Sequence, residues 1–392
     1  MPAKVLYIHH GRGVGGASLS LLYTIQGLDP ERYTAKIVLL RRSSVEDLYE
    51  EKGVPARVAD RWPLFQHTIA IWIPFYRPFR LASMFLSFYV TAYRYAREIL
   101  LEEKPDLVHL NSYHGIAWAR AAHRLGIPVV SHIREPMPNG YFGFRKRFIR
   151  RQLERADARI IAISQHNATL VNLPDRTRVI YNFVDHNRFS PREDSQNGSI
   201  EEQREFKVIF LGGANTIKGF EVLVDSLSRL REGTTVIFAG DYPKHLRLIS
   251  RLIWPKRHQA LVDLQHAKNA EIIGSTPDIA EWIAKADILV FPSMVPHFAR
   301  PVAEAQMMGK AVVASSVEGM EEQVTDGKDG ILVPPGNPVE LAAAINRLID
   351  EPKLRKCLGE QGRERANRNY RQDRNMEAVQ GLYDELITRR RE

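Results

Sequence analysis

The chain contains little cysteine and no long apolar segment. Cys357 is the one cysteine among 392 residues, which excludes an internal disulfide and a cysteine metal cluster and favours a reducing compartment. The longest uncharged apolar runs, 62–76 and 81–93, have 15 and 13 residues, whereas a membrane-spanning helix needs about 20. The first residues lack the apolar core of a secretory signal. These absences predict a cytoplasmic protein without a transmembrane helix.

Several nucleotide- and metal-binding patterns are also missing. The chain has no G-x-x-x-x-G-K-[ST] loop, and no acidic residue follows the predicted second strand to hold a dinucleotide ribose. P-loop ATPases and NAD enzymes are therefore poor interpretations. No D-x-D triplet stands at a strand end, so the sequence predicts no metal site and no cofactor.

Positive charge is concentrated in the first half of the chain. Residues 1–190 contain 27 Lys and Arg against 16 Asp and Glu, a net charge of +11, whereas residues 191–392 have a net charge of −2. Such a field favours an anionic partner: a membrane, a phosphorylated lipid or nucleic acid. Because no nucleic-acid-binding motif accompanies the charge, we expect no nucleic-acid partner.

Strands and helices alternate in two series. Apolar strand patterns occupy 4–9, 35–40, 106–110, 127–132 and 158–164, then 206–212, 234–240, 270–274, 286–292 and 310–315. Near-continuous apolar strands followed by helices predict parallel sheets covered on both faces. We therefore predict an α/β fold with two Rossmann-like doubly wound domains and a cleft between them. The expected bounds are 1–185, a polar linker at 186–205, a second domain at 206–370, and a terminal helix at 371–392 that packs back on the first domain.

Three loops at predicted strand ends contain candidate ligand-binding residues. Gly15 and Gly16 follow the first strand, where glycine lets backbone N–H groups approach a ligand at a helix N-terminus, although a simple tight turn explains them equally well. Lys218 stands at a helix start, where its charge opposes the positive helix end unless a phosphate binds there. Gly212 and Gly213 precede it. The sequence therefore predicts a diphosphate site around Lys218.

The segment FPSMVPHFARPVAEA, residues 291–305, carries the third candidate. Glu304 lies where a strand ends and a helix begins. Pro301 and Val302 occupy the first turn, where proline is tolerated because its missing N–H has no partner there anyway. A carboxylate at this place suits a ligand.

Read together, these segments resemble the retaining nucleotide-sugar glycosyltransferases of family 4, which have the two-domain GT-B fold. The resemblance spans nearly the whole chain. It rests on VGGASLSL, VIYNFVDHNRFSP, GGANTIKGFEVLVDSL, ADILVFPS, PVAEAQMMGKAVVAS and DGILVPPGNPVELAAAINRLID, which occur in this order.

The resemblance implies roles for individual residues. Lys218 matches the family's phosphate-binding lysine, whereas Gly213 stands where the family has an arginine. Glu304 matches the second glutamate of the E-x7-E motif, which binds the nucleotide ribose. Pro296 replaces the first glutamate, which faces the donor sugar. An altered donor, lost transfer activity, or compensation by His297 or Arg300 would explain this departure, and compensation is the favoured hypothesis.

His132, in VVSHIREP, matches the histidine that faces the donor sugar in the family. The resemblance gives it the role of orienting the sugar rather than that of a base. Four other histidines also end predicted strands, so the identity of the important imidazole stays open from the sequence: His9, His10, His109 and His114.

The leading hypothesis is a metal-independent retaining glycosyltransferase. It would move a hexose from a UDP- or GDP-linked donor to a glycan or lipid-linked glycan. A nucleotide-sugar epimerase of the same two-domain design and a non-catalytic nucleotide-sugar-binding protein are the alternatives, the latter because of Gly213 and Pro296.

Two segments rich in aromatic and basic residues suggest a membrane surface as an additional partner. Residues 61–100 mix arginines with tryptophan, phenylalanine and tyrosine, and residues 142–159 place five basic residues around Phe144, Phe148 and Ile149. This mixture suits a lipid headgroup boundary. A buried helix beside a solvated basic helix is the alternative.

Overall fold

The computed structural model describes residues 1–11, 13–59, 78–137, 140–191, 205–243, 253–276 and 278–392. The chain folds into two compact units: Met1–Asn182 with Gln372–Glu392, and Phe183–Arg371. Most of the predicted linker, and the aromatic run before residue 78, lie outside the described residues.

The first unit contains a seven-stranded sheet in the order β3-β2-β1-β4-β5-β6-β7, with parallel pairing throughout. All residues of the central strands β4 and β5 are buried, as expected for a sheet covered by helices on both faces. The strands are β1 (Ala3–His9), β2 (Tyr33–Leu39), β3 (Ala56–Val58), β4 (Leu107–Leu110), β5 (Val129–Ile133), β6 (Arg159–Ala162) and β7 (Thr177–Val179).

The second unit contains a six-stranded parallel sheet in the order β10-β9-β8-β11-β12-β13. Its strands are β8 (Phe206–Phe210), β9 (Thr234–Ala239), β10 (Ala270–Gly274), β11 (Ile288–Phe291), β12 (Ala311–Ser315) and β13 (Ile331–Val333). The predicted pair of Rossmann-like parallel sheets is confirmed. The sequence missed β3, β7 and β13, because three residues at a sheet edge are too few to show a periodic pattern.

Helices connect most of these strands. The described α-helices are α1 (Gly16–Gln26), α2 (Val45–Glu51), α3 (Pro78–Val90), α4 (Ala96–Glu103), α5 (Ile116–Arg124), α6 (Phe144–Arg155), α7 (Gln165–Val171), α8 (Phe220–Ser226), α9 (Pro255–His266), α10 (Ile279–Lys285), α11 (Arg300–Met307), α12 (Pro338–Asp350), α13 (Pro352–Asn369) and α14 (Gln372–Arg391). Within the described ranges, no helix combines the length and the apolar character needed to cross a bilayer.

The strand orders determine where each unit can bind a ligand. In each sheet the first strand along the chain lies between the second and the fourth, so the connections diverge beside it. Open parallel sheets bind ligands at the carboxyl ends of the strands at this switch point. The loops after β1 and β8 therefore lie at the two favoured places, and they contain Gly15, Gly16 and Lys218.

The terminal helix α14 belongs to the first unit. The Tyr383 hydroxyl lies 2.6 Å from Nδ1 of His109 in β4 and 3.2 Å from the hydroxyl of Tyr7 in β1. Nearer the surface, Arg178 donates to the Glu385 carboxylate at 2.6 Å. The buried tyrosine fixes α14 against the central strands, next to the histidines that end them.

Candidate functional site

Lys218 ends a short 3-10 helix, Thr216–Lys218, that leads into α8. The loop is tied to the segment after β11, because the Ile217 carbonyl accepts hydrogen bonds from the Met294 N–H at 3.0 Å and the Ser293 hydroxyl at 3.1 Å. The lysine is half-buried, and no counterion contacts its ammonium within the described part of the chain. Burial lowers the pKa of Lys218, so the charged form is less favourable here than in water. A bound anion would remove that cost.

Gly213 has a structural reason to be glycine. Its φ is +60°, and a Cβ atom added there would lie 2.9 Å from the backbone nitrogen of Asp241. An arginine at this position would therefore be strained and crowded. The departure from the family pattern at residue 213 follows from this close approach of two backbone segments.

Glu304 lies in α11 and forms a buried ion pair with Arg300, one helical turn earlier. The Arg300 Nε atom donates to Glu304 Oε1 at 2.6 Å, and both side chains are less than a tenth exposed. The sequence suggested that Arg300 compensates at the diphosphate. In the structure its Nε atom donates to the carboxylate of Glu304, which restricts the orientation of that side chain, and the contact with the diphosphate stays a prediction. Pro301 and Val302 lie in the first turn of α11, as expected.

His297 lies close to Lys218. Its ring stacks on Phe291 with the centroids 5.4 Å apart, and its backbone N–H donates to the Glu318 carbonyl at 2.9 Å. Burial, together with the charge of Lys218, lowers the pKa of His297 to about 4. The imidazole next to Pro296 is therefore neutral at physiological pH, and a neutral imidazole can donate one hydrogen bond and accept another.

In the first unit, His132 is buried near the end of β5. Its Nδ1 atom accepts a hydrogen bond from Arg134 at 3.3 Å, and its ring lies against that of His109, with 5.3 Å between centroids. Burial, then Arg134 and His109, lower the pKa of His132 well below its usual value. The Nε2 atom has no hydrogen-bond partner among the described residues. His132 is thus a neutral imidazole with one nitrogen available.

A chain of hydrogen bonds connects this strand end to the loop after β1. Arg134 Nε donates to Asn111 Oδ1 at 2.6 Å, and the Asn111 amide donates to Nδ1 of His9 at 3.0 Å. His9 Nε2 lies 3.0 Å from the Ser18 hydroxyl, which donates to the Gly13 carbonyl at 3.0 Å. The strand ends and the glycine-rich loop therefore form one polar network.

Gly15 and Gly16 lie at the start of α1, and Gly15 precedes the helix in an extended conformation. A Cβ atom added at either residue would have no atom of the described residues within 4 Å. Crowding by those residues therefore does not require either glycine, unlike Gly212, whose added Cβ would lie 1.9 Å from the Phe210 ring. Both Gly15 and Gly16 are exposed.

The structure adds site residues that the sequence analysis did not identify. Arg134, Asn111 and Ser18 join the predicted His132 to the predicted loop. Their positions in the sequence could have indicated them, because each is a polar residue just after a strand or at the start of the following helix. The histidines were given more weight because imidazole is the commoner catalytic group. Within the described ranges, no group of three or more His, Cys, Asp or Glu side chains could hold a metal ion.

Comparison with known families identifies both units. Residues 14–188 match the profile described as Glycosyltransferase Family 4, and residues 205–351 match that described as Glycosyl transferases group 1. The two matches include His132, Lys218, Arg300 and Glu304, whereas His9 and Gly13 precede the first match.

Curated relatives agree with these matches. The chain is 26% identical over 311 residues to a glycosyltransferase of Methanocaldococcus jannaschii, MJ1178, covering 77% of this chain and 81% of that one. It is 25% identical over 285 residues to the D-inositol 3-phosphate glycosyltransferase of Paenarthrobacter aurescens, covering 66% and 68%.

Solved structures support the fold. Anabaena HepE in complex with UDP superposes with a TM-score of 0.77 at 22% identity, over 97% of this chain and 100% of that one. Sucrose-phosphate synthase of Thermosynechococcus elongatus superposes with a TM-score of 0.72 at 19% identity, over 98% and 99%. The chain therefore belongs to glycosyltransferase family 4 and is a glycosyltransferase with the GT-B fold.

Proposed function

We propose that this enzyme transfers a hexose, with retention and without a metal ion, from a nucleoside diphosphate sugar to a glycan or lipid-linked glycan. The observation that carries the proposal is the Lys218 ammonium, which is half-buried beside a helix start and has no counterion among the residues that the structure describes. When the sugar departs, negative charge develops on the β-phosphate. A cation and backbone N–H groups already in place stabilise that charge.

The donor is assigned to the second unit and the acceptor to the first. Lys218, with the backbone at Gly212 and Gly213, binds the diphosphate, and Gly15 and Gly16 offer backbone N–H groups to a ligand of the first unit. Glu304 accepts hydrogen bonds from the ribose hydroxyls, with Pro301 and Val302 forming the helix turn beside it. Arg300 then acts by holding Glu304, since its Nε atom is directed to that carboxylate.

In this proposal His297 contacts the donor sugar at the second unit, and His132 offers a hydrogen bond to a sugar hydroxyl at the first unit. Pro296 has no side-chain hydrogen-bonding group, so the neutral imidazole of His297 takes over from the missing glutamate. An imidazole can donate one hydrogen bond and accept another, whereas a carboxylate only accepts. The set of sugars that fit should therefore differ from those of relatives with both glutamates.

A thermal-shift and turnover screen tests the donor assignment. UDP-glucose is the first donor to use, because HepE has been crystallised with UDP-glucose, and GDP-mannose is the comparison. A ligand at about 100 times its Kd stabilises a protein by about 2.7 kcal/mol, so the correct nucleotide should raise the Tm.

Release of UDP or GDP from the donor should continue in EDTA. Conversion of the sugar without nucleotide release would indicate an epimerase, and no shift with either nucleotide would contradict the proposal.

A membrane surface is the second partner that we propose. The structure brings the two aromatic and basic segments together, because the Phe85 ring of α3 packs against Phe144 and Phe148 of α6, with centroids 6.0 and 5.1 Å apart. Apolar side chains remain exposed beside this contact: Phe79, Leu86, Tyr89, Phe142 and Phe144. Arg147 and Arg151 are exposed on α6. Arg145, counted in the basic cluster from sequence, is buried and takes no part.

Exposed aromatic side chains with basic residues beside them suit an anionic leaflet, and we place the enzyme at the inner face of the cell membrane. Each basic residue at such a surface contributes about 1 kcal/mol. The double variant Arg147→Gln/Arg151→Gln should therefore bind phosphatidylglycerol vesicles about 30-fold more weakly in sedimentation at low salt. The matched control is Lys353→Gln/Lys356→Gln on α13. Equal binding by the two double variants, or no binding by the wild type, would remove the membrane proposal.

A further inference from the structure

Arg134 contacts three side chains of the polar network in the first unit. Its Nε and Nη1 atoms donate to the side-chain oxygens of Asn111 and Asn182 at 2.6 and 2.5 Å, and its Nη2 atom donates to Nδ1 of His132 at 3.3 Å. One planar group thus fixes a side chain within β5 and two side chains that follow β4 and β7. The rigid geometry of a guanidinium allows this, whereas a lysine ammonium is a flexible point charge.

We propose that Arg134 is a positioning residue that sets the tautomer of His132 and couples it to the glycine-rich loop after β1. A guanidinium has only donors, so Nδ1 of His132 must be the acceptor of this bond. The single proton of a neutral imidazole then resides on Nε2. His132 therefore presents an N–H donor from Nε2, the nitrogen that has no partner in the described part of the structure.

The same guanidinium also orients the hydrogen bonds that lead through Asn111 and His9 to the loop after β1. Because Asn111 Oδ1 accepts from Arg134, the amide nitrogen of Asn111 faces Nδ1 of His9 and the carbonyl of Ala17. His9 must then carry its proton on Nε2 and donate to Ser18, whose hydroxyl donates to the Gly13 carbonyl. Each N–H or O–H group along this path has its own acceptor, so the orientation set at Arg134 extends to the loop before α1.

In one respect this inference rests on the proposed function, since the group that accepts from His132 Nε2 is taken to be a sugar hydroxyl of a substrate. The tautomer itself does not depend on that assignment. A spectroscopic measurement on the protein without ligand therefore tests Arg134 separately from turnover.

Long-range ¹H–¹⁵N correlation spectra of protein labelled with ¹⁵N-histidine measure the tautomer directly, and His132→Gln assigns the resonance. In the wild type His132 should be in the Nε2–H form. Arg134→Met should give a mixture of tautomers, and Arg134→Lys should restore the Nε2–H form in part. The matched control is Arg178→Met, which removes an exposed arginine of the same unit. An unchanged tautomer in Arg134→Met would overturn the proposal, even if that variant loses activity.

Turnover of UDP-glucose gives the second readout. The groups that face His132 are Arg134 and the ring of His109, and the charge of Arg134 contributes to the lowered pKa of His132. Without that charge the pKa of His132 rises, so protonation begins at higher pH. For Arg134→Met the acid limb of the kcat profile should therefore move to higher pH, and kcat should fall by about 10- to 100-fold.

The two readouts separate the possible failures. A changed tautomer with no UDP-glucose turnover even in the wild type would sustain the role of Arg134 and contradict the donor assignment. A normal tautomer and an unmoved acid limb in Arg134→Met would show that the arginine only contributes to packing, and the proposal would be wrong.

Discussion

Replacing Lys218 with methionine is expected to lower donor turnover by about 100-fold or more while leaving the protein at least as stable as the wild type. Removing one charge-stabilising donor from a transition state typically costs a factor of about 100 to 1,000. The stability effect has the opposite sign, because Lys218 is half-buried, has a lowered pKa and has no counterion within the described ranges. Methionine keeps the apolar stem and removes the cost of desolvating the charge.

The opposite signs of the effects on turnover and on stability distinguish a ligand-binding lysine from a structural one. Removal of a structural lysine would lower the Tm. For Lys218→Met we expect the Tm to rise instead, by about 2 °C for every 0.5 to 1 kcal/mol gained in the free energy of unfolding. The rise in Tm that a nucleotide causes should shrink at the same time. Lys328→Met, at an exposed lysine of the same unit, serves as the control. It should leave the turnover, the Tm and the nucleotide-induced rise in Tm unchanged. Normal turnover in Lys218→Met would show that the diphosphate binds elsewhere.

Glu304→Ala is expected to be the most destabilising of the site substitutions and to abolish nucleotide binding. Arg300 and Glu304 form an ion pair that is more than nine-tenths buried, with 2.6 Å between Nε and Oε1. Removing one partner of a buried pair leaves the other charge without compensation and costs about 3–5 kcal/mol. Loss of the carboxylate also removes the proposed acceptor for the ribose hydroxyls.

The double variant Arg300→Met/Glu304→Leu separates these two effects. Apolar replacement of both partners avoids an uncompensated charge, so most of the stability should return. Nucleotide binding should not return, because the carboxylate is still absent. The Tm measured with and without UDP checks both outcomes. If the double variant keeps the UDP-induced shift, Glu304 does not bind the ribose.

The chain provides a matched control for this pair. Arg347 and Glu351 have the same spacing, with Nε and Oε1 3.0 Å apart, but both are about half exposed. Water screens such pairs, so Glu351→Ala should change the unfolding free energy by less than about 1 kcal/mol. A similar cost for Glu351→Ala and Glu304→Ala would show that burial does not explain the effect at Glu304.

Much of the fold was predictable because its signals are local. The apolar runs that became β1, β8 and β11 each have several consecutive buried residues, and such runs predict strands of a parallel sheet. The glycine-rich loops and Lys218 follow those strands in the chain, so their place at the carboxyl edge follows from the alternation alone. The edge strands β3, β7 and β13 were missed because each has only three residues.

The sequence by itself determined the two parallel sheets, the family, and the residue types at the ends of the strands. Tertiary structure decided which of those residues meet. Arg300, which was predicted near a phosphate, donates to Glu304; Arg145 was expected at a surface and is buried; Arg134 was not among the predicted site residues and donates to His132. The reason is physical: periodicity records which face of an element is buried, whereas the partner of a charged group depends on contacts between residues far apart in the chain.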